Sequence, residues 1–184
     1  MQVVFYGTAR QIGTSANMTA VAAALTYYFE WPVLAEEAEK PGSSISKEII
    51  LTDCTCRSDA EKMINGCDLL VLNLSVPNRE LEEVYLRHAL VRKNVIFLFG
   101  KYFPYQSNEI KRLAEEYRMN CSRICMIPYD PGFGYAYEKR QVLDYIKNCP
   151  FAGSYRNIQF TQKVKRTAET ILTYGNRKGE IYYG

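Results

Sequence analysis

Residues 7–15 read GTARQIGTS and stand between an apolar run and a segment with helical periodicity. The run at 2–6 is short and β-rich, and residues 16–29 carry apolar side chains at helical spacing, so the order is strand, small-residue loop, helix. In an open parallel sheet such a loop lies where ligands bind, and its glycines, backbone amides and helix N-terminus favour an anion. The same residues equally fit a plain strand-to-helix turn capped by Ser15 or Thr14.

Short apolar runs alternate with amphipathic segments along the rest of the chain. Strands are predicted at 32–34, 48–52, 68–74, 94–99 and 123–127, and helices at 59–65, 80–90, 108–118, 138–147 and 160–173. The run DLLVLNL at 68–74 is typical of a strand covered on both faces. The alternation predicts an α/β fold with a doubly wound, mostly parallel sheet flanked by helices. We expect a single domain at 1–173 and a polar tail at 174–184.

The composition is that of an ordinary globular protein. The 184 residues are 47% hydrophobic and 23% charged, and the net charge of +3 is spread among acids, which predicts no specific nucleic-acid interface. No apolar stretch approaches the roughly 18 residues of a membrane span, and no basic segment opens a signal peptide, so a cytoplasmic protein without a transmembrane segment is expected. The six cysteines lack the paired spacing of a zinc site and are expected to be reduced.

Three downstream segments resemble the ParA/MinD family of deviant P-loop NTPases. The run IILTD at 49–53 resembles the strand that ends in the Walker B aspartate, and DLLVLNLSVP at 68–77 resembles the family's next strand with its proline-containing loop. The segment MIPYDP at 126–131 is similar to the I-P-x-D-P loop that lies beside the nucleotide base. The resemblance covers roughly residues 2–147 and implies a P-loop NTPase-like fold.

Aligned on Gly13, the loop departs from the family's pattern. The phosphate lysine of the family falls on Thr14, its Mg²⁺-binding hydroxyl on Ser15 and its signature lysine on Ala9, so the Walker A motif is degenerate. The loop is closest to that of the atypical TadZ/CpaE pilus-assembly group. The resemblance implies a site for ATP or ADP, with Mg²⁺ at Ser15 and Asp53, and makes Asp53 the candidate catalytic residue. The residues implied to bind the nucleotide are Gly7, Arg10, Gln11, Ile12, Gly13, Thr14, Ser15, Pro128 and Asp130.

The missing lysines bear on chemistry more than on binding. Phosphoryl transfer depends on cations that neutralise the γ-phosphate oxygens, and removing one well-placed donor costs about 2.7–4 kcal/mol of barrier. Slow hydrolysis is therefore expected. Arg10 stands one residue from the signature position and is a candidate partial replacement. The family's base-recognising Asn falls on Gly100, and Asp53 also fits a plain turn cap.

Three functions follow from these features. The first is a non-hydrolysing or weakly nucleotide-binding scaffold or localisation factor for a pilus or secretion-type assembly, dimerising through the loop face with protein partners, as the resemblance implies. The second is an active ATP-dependent dimerisation switch that uses Arg10, Ser15 and Asp53. The third is a flavodoxin-like protein with a phosphate-bearing cofactor at the loop.

Aromatic residues at 102–105 and 133–137 are expected in loops at the same sheet edge, as a docking patch or as core packing.

Overall fold

One parallel sheet organises the chain. The computed structural model describes residues 1–8, 12–36, 49–75, 94–151 and 154–175. Within these ranges the strands are β1 (Gln2–Gly7), β2 (Val33–Glu36), β3 (Ile49–Asp53), β4 (Leu69–Leu74), β5 (Val95–Tyr102) and β6 (Ile124–Pro128). The helices are α1 (Thr14–Phe29), α2 (Ala60–Gly66), α3 (Ser107–Glu116), α4 (Pro131–Glu138), α5 (Val142–Asn148) and α6 (Tyr155–Gly175). The helix expected at 80–90 lies outside the described residues.

The sheet has the order β2-β3-β1-β4-β5-β6, and its paired strands are parallel. β1 is central, since Val3 pairs with Leu51 of β3 on one side and with Leu69 of β4 on the other. The chain therefore reverses its direction of winding at β1, and the loop after β1 opens into the crevice where open α/β sheets bind ligands. The predicted doubly wound parallel sheet flanked by helices is confirmed.

Alternation along β1 divides the core between the two faces of the sheet. Val3 and Phe5 face the helices α1, α4, α5 and α6, whereas Val4 faces α2 and α3. All six residues of β4 are buried, as the continuous apolar run predicts for a strand with both faces covered. Central burial makes the carboxyl ends of β1 and its neighbours a rigid base for the loops that follow.

The helix predicted at 138–147 is shorter than expected, and an unpredicted helix precedes it. The helix expected at 138–147 begins at Val142, and a separate helix, α4, precedes it. The side chain of Asp130 caps α4, and Pro131 occupies its first position, where a missing N–H costs nothing. The aromatic residues at 133–137 therefore lie on a helix, which corrects the expectation that they lie in a loop.

The last helix is longer than the helix predicted at 160–173. α6 begins at Tyr155 and reaches Gly175, two residues into the expected tail. Tyr174 is buried, and its hydroxyl lies 2.5 Å from the hydroxyl of Ser122. Residues 176–184 lie outside the described residues. Among the described helices, none is both long enough and apolar enough to cross a membrane.

Candidate functional site

The loop after β1 enters α1 through a left-handed glycine. Gly13 is the residue before the helix and has φ 87° and ψ 27°, a conformation that L side chains rarely adopt. Its carbonyl accepts the first helical bond, from the N–H of Asn17 at 2.8 Å. The first turn of α1 carries no acidic residue, so the positive end of the helix dipole is not neutralised by its own side chains. Ala9, Arg10 and Gln11 lie outside the described residues.

A chain of hydrogen bonds joins the start of α1 to the end of β3. Ser15 Oγ donates to Asp53 Oδ2 at 2.5 Å. The other oxygen of Asp53, Oδ1, accepts from the backbone N–H of Thr55 at 2.9 Å and from its hydroxyl at 2.6 Å. The Thr55 hydroxyl in turn accepts from the N–H of Gly7 at 3.0 Å. The base of the loop, the helix and the strand end are thus held in one arrangement.

The Ser15 and Asp53 oxygens fit Mg²⁺ bound together with a nucleotide. Mg²⁺ is usually held by one or two carboxylates, with phosphate and water supplying the other ligands, and P-loop NTPases use the loop hydroxyl and the Walker B aspartate for this. Here those two oxygens are already in contact. Among the described residues, no cluster of three or more His, Cys, Asp or Glu side chains is placed to hold a metal by itself.

Two of the predicted loop residues, Ile12 and Thr14, have side chains that face inward. The side chains of Ile12 and Thr14 are buried, 9% and 5% exposed. Both lie against Gly7, where an added Cβ would collide with the Thr14 hydroxyl and lie 3.2 Å from Ile12 Cδ1. Gly7 is therefore needed for close approach, and the Ile12 side chain contributes packing. Thr14 places a short neutral hydroxyl at the position where the family has its lysine.

A cleft of about 1100 Å³ opens at the carboxyl ends of the strands. It brings together most of the residues that the sequence singled out, although they come from β3, α1 and the end of β6. The predicted site residues that line it are Gly13, Thr14, Ser15, Asp53, Pro128 and Asp130. Phe133 and Tyr137 of α4 form part of its apolar wall.

Asp130 has a structural role at the rim of this cleft. It is 4% exposed, and its Oδ1 accepts from the N–H of Phe133 at 2.9 Å and from the hydroxyl of Tyr145 at 2.8 Å. Burial, followed by the hydrogen bonds to Cys149 and Asp130, raises the pKa of Tyr145, so this phenol stays protonated and remains a donor. Asp130 Oδ2 has no hydrogen-bond partner among the described residues. Asp130 thus caps α4 through Oδ1, and its Oδ2 makes no hydrogen bond to the described residues.

Gly100 accommodates a buried pair of asparagines. A Cβ at Gly100 would collide with the side-chain amide of Asn17, which donates to Asn73 Oδ1 at 3.0 Å. Asn17 and Asn73 are 3% and 0% exposed. The position that resembles the family's base-recognising Asn is therefore occupied by backbone alone, and α1 supplies the amide beside it.

The cysteines next to Asp53 differ in exposure. Cys54 is fully buried, and burial, followed by the neighbouring Asp53 carboxylate, raises the pKa of its thiol to about 12. The thiol is therefore protonated at neutral pH and unreactive. Cys56 is exposed and lines the cleft. Arg57 directs its guanidinium to Asp59, at 2.9 and 3.1 Å.

The two aromatic clusters divide between core and surface. Tyr102 and Phe133 are buried, which fits the packing interpretation. Phe103 and Tyr105 are exposed and stacked, with ring centroids 5.5 Å apart, and Phe103 also lies 5.4 Å from the exposed Tyr129. We call these three exposed residues the rim aromatics. They stand at the carboxyl ends of β5 and β6, beside the cleft.

Sequence reasoning did not single out two residues of this site, Thr55 and Lys101. Thr55 holds Asp53 and Gly7 together. Lys101 lines the cleft from β5 and lies against Gly13. The only signal for Lys101 was its place directly after a glycine at the end of an apolar run, and the signal for Thr55 was a hydroxyl two residues after a strand-terminal aspartate.

The comparisons with known proteins rest on structure. No family model and no curated protein matches the sequence. A chain of the MinC:MinD cell division protein complex from Aquifex aeolicus matches with a TM-score of 0.67 at 9% identity, over 94% of this chain and 95% of that chain. A protein from Borrelia burgdorferi B31, described as a plasmid partition protein and solved with AMPPNP bound, matches with a TM-score of 0.57 at 9% identity, over 94% and 98%.

At this identity the likeness shows the fold. The chain has the P-loop NTPase fold of MinD and ParA-type partition proteins, and the fold that the sequence resemblance implied is confirmed. Five of the strands, β3-β1-β4-β5-β6, stand in the same relative order as the 2-1-3-4-5 sheet of flavodoxin-like proteins, with β2 added beside β3, so the flavodoxin-like alternative stays a prediction.

Proposed function

We propose that this protein holds a Mg²⁺-nucleotide in the carboxyl-edge cleft with little or no hydrolysis. The observation that carries the proposal is the 2.5 Å contact between Ser15 Oγ and Asp53 Oδ2, beside a loop with Thr14 in place of lysine. The oxygens suited to Mg²⁺ are kept, whereas Thr14 supplies no cation at the position where P-loop NTPases have a lysine to neutralise phosphate charge. Binding is therefore retained and catalysis is weakened.

The size of the catalytic loss follows from the charges that are missing. Thr14 and Ala9 stand where the family has two lysines. The loss of one such donor costs about 2.7–4 kcal/mol of barrier, which corresponds to roughly a hundred- to a thousandfold in rate. A protein with this loop is suited to hold a nucleotide as a structural element rather than to consume it.

The cellular role in this proposal is that of a scaffold or localisation factor. The loop ending Gly13-Thr14-Ser15 resembles that of TadZ/CpaE proteins, which serve pilus and secretion-type assemblies. The ParA/MinD fold and the exposed rim aromatics support a role in docking to other proteins of such an assembly.

Turnover measured with and without a restored lysine tests the proposal. We expect purified protein to bind Mg-ATP and Mg-ADP in calorimetry and to release phosphate at close to the background rate. Thr14→Lys is expected to raise turnover at least about tenfold, because it returns a cation to the phosphates. Thr26→Lys, on the exposed side of α1, is the matched control and should change nothing. Rapid wild-type turnover that Thr14→Lys does not raise would contradict the proposal, and so would no binding at millimolar nucleotide.

The second candidate, an active ATP-dependent dimerisation switch, depends on the same Ser15 and Asp53 pair, with Arg10 as the cation. The Ser15–Asp53 contact supports it equally, because nucleotide binding is common to both candidates. Rapid phosphate release by the wild type that Arg10→Gln abolishes would favour the switch over the scaffold. The turnover measurement therefore separates the two.

Dimerisation through the loop face is the third part of the proposal. Tyr105 is 79% exposed and belongs to the rim aromatics, which supply contact area at this face. We expect light scattering to give the mass of a dimer in the presence of Mg²⁺ and a non-hydrolysed ATP analogue. Tyr105→Ser should weaken the dimer by about three- to tenfold, whereas Tyr27→Ser, an exposed tyrosine near the other end of α1, should not. A monomer under all conditions would remove this part.

A further inference from the structure

Lys101 interrupts the regular pairing of β5 and β6 near the carboxyl ends of the two strands. Gly100 pairs with Ile127 and Tyr102 pairs with Pro128, and the register shifts between them, so that Lys101 forms a bulge. A bulge places an extra residue in one strand and changes the direction of a side chain, and bulges are over-represented next to active sites. The carboxyl edge at which this bulge lies is the edge that carries the cleft.

The backbone of Lys101 is also in an unusual conformation. Its φ of 52° is left-handed, which is uncommon for a residue with a side chain. Among the described residues, three other side-chain-bearing residues have a positive φ: Glu30, Arg118 and Arg140. Each of those three follows the end of a helix, where the left-handed conformation is ordinary, whereas Lys101 lies inside a strand. Such conformations are found at functional sites when the surrounding structure enforces them.

The side chain of Lys101 lies against Gly13, the residue that leads from the loop into α1. A Cβ placed on Gly13 would lie 2.8 Å from Lys101 Cε, 3.5 Å from its Cδ and 3.6 Å from its Cγ. The aliphatic stem therefore lies against Gly13, where the loop has no side chain, and the ammonium follows one bond beyond Cε. Gly13 therefore meets two requirements. Its backbone adopts a left-handed conformation, and its missing side chain leaves room for Lys101.

From this geometry we propose that Lys101 supplies, from β5, the positive charge that the loop lacks at Thr14, and that it binds a phosphate of the nucleotide. The inference rests on the proposed function, because it assumes an anion at the N-terminus of α1. A lysine is a compact charge on a flexible stem, so it can serve a phosphate from a strand as well as from a loop. Arg57, the other described cation of the cleft wall, directs its guanidinium to Asp59.

The test uses Lys101→Met, which keeps the stem and removes the charge. We expect the affinity for Mg-ATP, measured by calorimetry, to fall roughly tenfold or more, because a hydrogen bond to a charged group is lost. The affinity for adenosine, which has no phosphate, should stay within about twofold. Lys101→Arg should keep most of the Mg-ATP affinity. Lys111→Met, on the exposed side of α3, is the matched control for removing a lysine charge elsewhere.

The outcomes separate the role of Lys101 from the proposed function itself. If the wild type binds Mg-ATP and Lys101→Met binds it equally well, the inference about Lys101 is overturned and the proposed function stands. If Lys101→Met weakens Mg-ATP and adenosine alike, Lys101 acts on the shape of the cleft and the phosphate role is overturned. If the wild type binds neither ligand at millimolar concentration, both proposals fail together. Rescue of Lys101→Met by a second change, Thr14→Lys, would show that the two positions serve the same phosphate.

Discussion

Replacing Asp53 by Asn is expected to uncouple nucleotide binding from Mg²⁺. The wild type should bind ATP more tightly with Mg²⁺ than with a chelator, because the Ser15 and Asp53 oxygens meet where the cation is needed. Asn keeps the size of the side chain and an oxygen that can accept from Thr55, but it removes the negative charge. We expect Mg-ATP binding to weaken about ten- to a hundredfold and to become insensitive to the chelator.

The control for this experiment is Asp59→Asn. Asp59 lies in the same connection between β3 and α2, but it is exposed and its carboxylate pairs with Arg57. An exposed, solvent-screened pair contributes little to stability, and its loss should leave Mg-ATP binding unchanged. Ser15→Ala should reproduce the loss of Mg²⁺ dependence. An Asp53→Asn protein that responds to Mg²⁺ as the wild type does would remove Ser15 and Asp53 as the metal site.

Adding a methyl group at Gly100 is expected to destabilise the fold. The new Cβ would meet the amide of Asn17, which is enclosed in the core and held by its hydrogen bond to Asn73. An overpacked core typically costs 1–3 kcal/mol, and we expect Gly100→Ala to lower the free energy of unfolding in urea by about that amount. Gly66→Ala is the matched control, since a Cβ at Gly66 meets nothing within 4 Å. It should be neutral or slightly stabilising.

A double-mutant cycle identifies the cause of the Gly100 effect. Asn17→Ala removes the amide that the new methyl group would meet, and it is expected to be destabilising by itself because Asn73 loses a buried partner. In that background Gly100→Ala should cost less than in the wild type, with a coupling of about 0.5–3 kcal/mol. Additive effects would mean that Asn17 does not confine Gly100 and that the strain lies elsewhere.

The elements with strong local signals were predictable from the sequence. The buried strand β4 follows from an uninterrupted apolar run, and β3 ends at Asp53 as the run IILTD indicates. Helix α4 was missed because its two glycines and its aromatic residues are more typical of a loop. Its stability comes from the Asp130 cap and from the packing of Phe133 on Phe160, and neither is visible in local periodicity.

The residues of the candidate site were predictable where they belong to short, recognisable segments of the sequence. Gly13, Ser15 and Asp53 were singled out by the small-residue loop after the first strand and by the resemblance of that loop and of the run IILTD to the ParA/MinD motifs. Lys101 was not found, because the residue types at 99–102 do not indicate a bulge or a left-handed backbone. Thr55 was not found because its importance lies in two hydrogen bonds, one to its neighbour Asp53 and one to the distant Gly7.

The sequence by itself determined the alternation of strands and helices and the absence of lysine at position 14, since periodicity and residue identity are local properties. Only the tertiary structure decided which side chains from distant segments meet at the start of α1. Ser15 reaches Asp53 across 38 residues because β1 and β3 are neighbours in the sheet. Lys101 reaches Gly13 because a bulge turns it out of the sheet ladder. Contacts of this kind depend on strand order and register, which no single segment encodes.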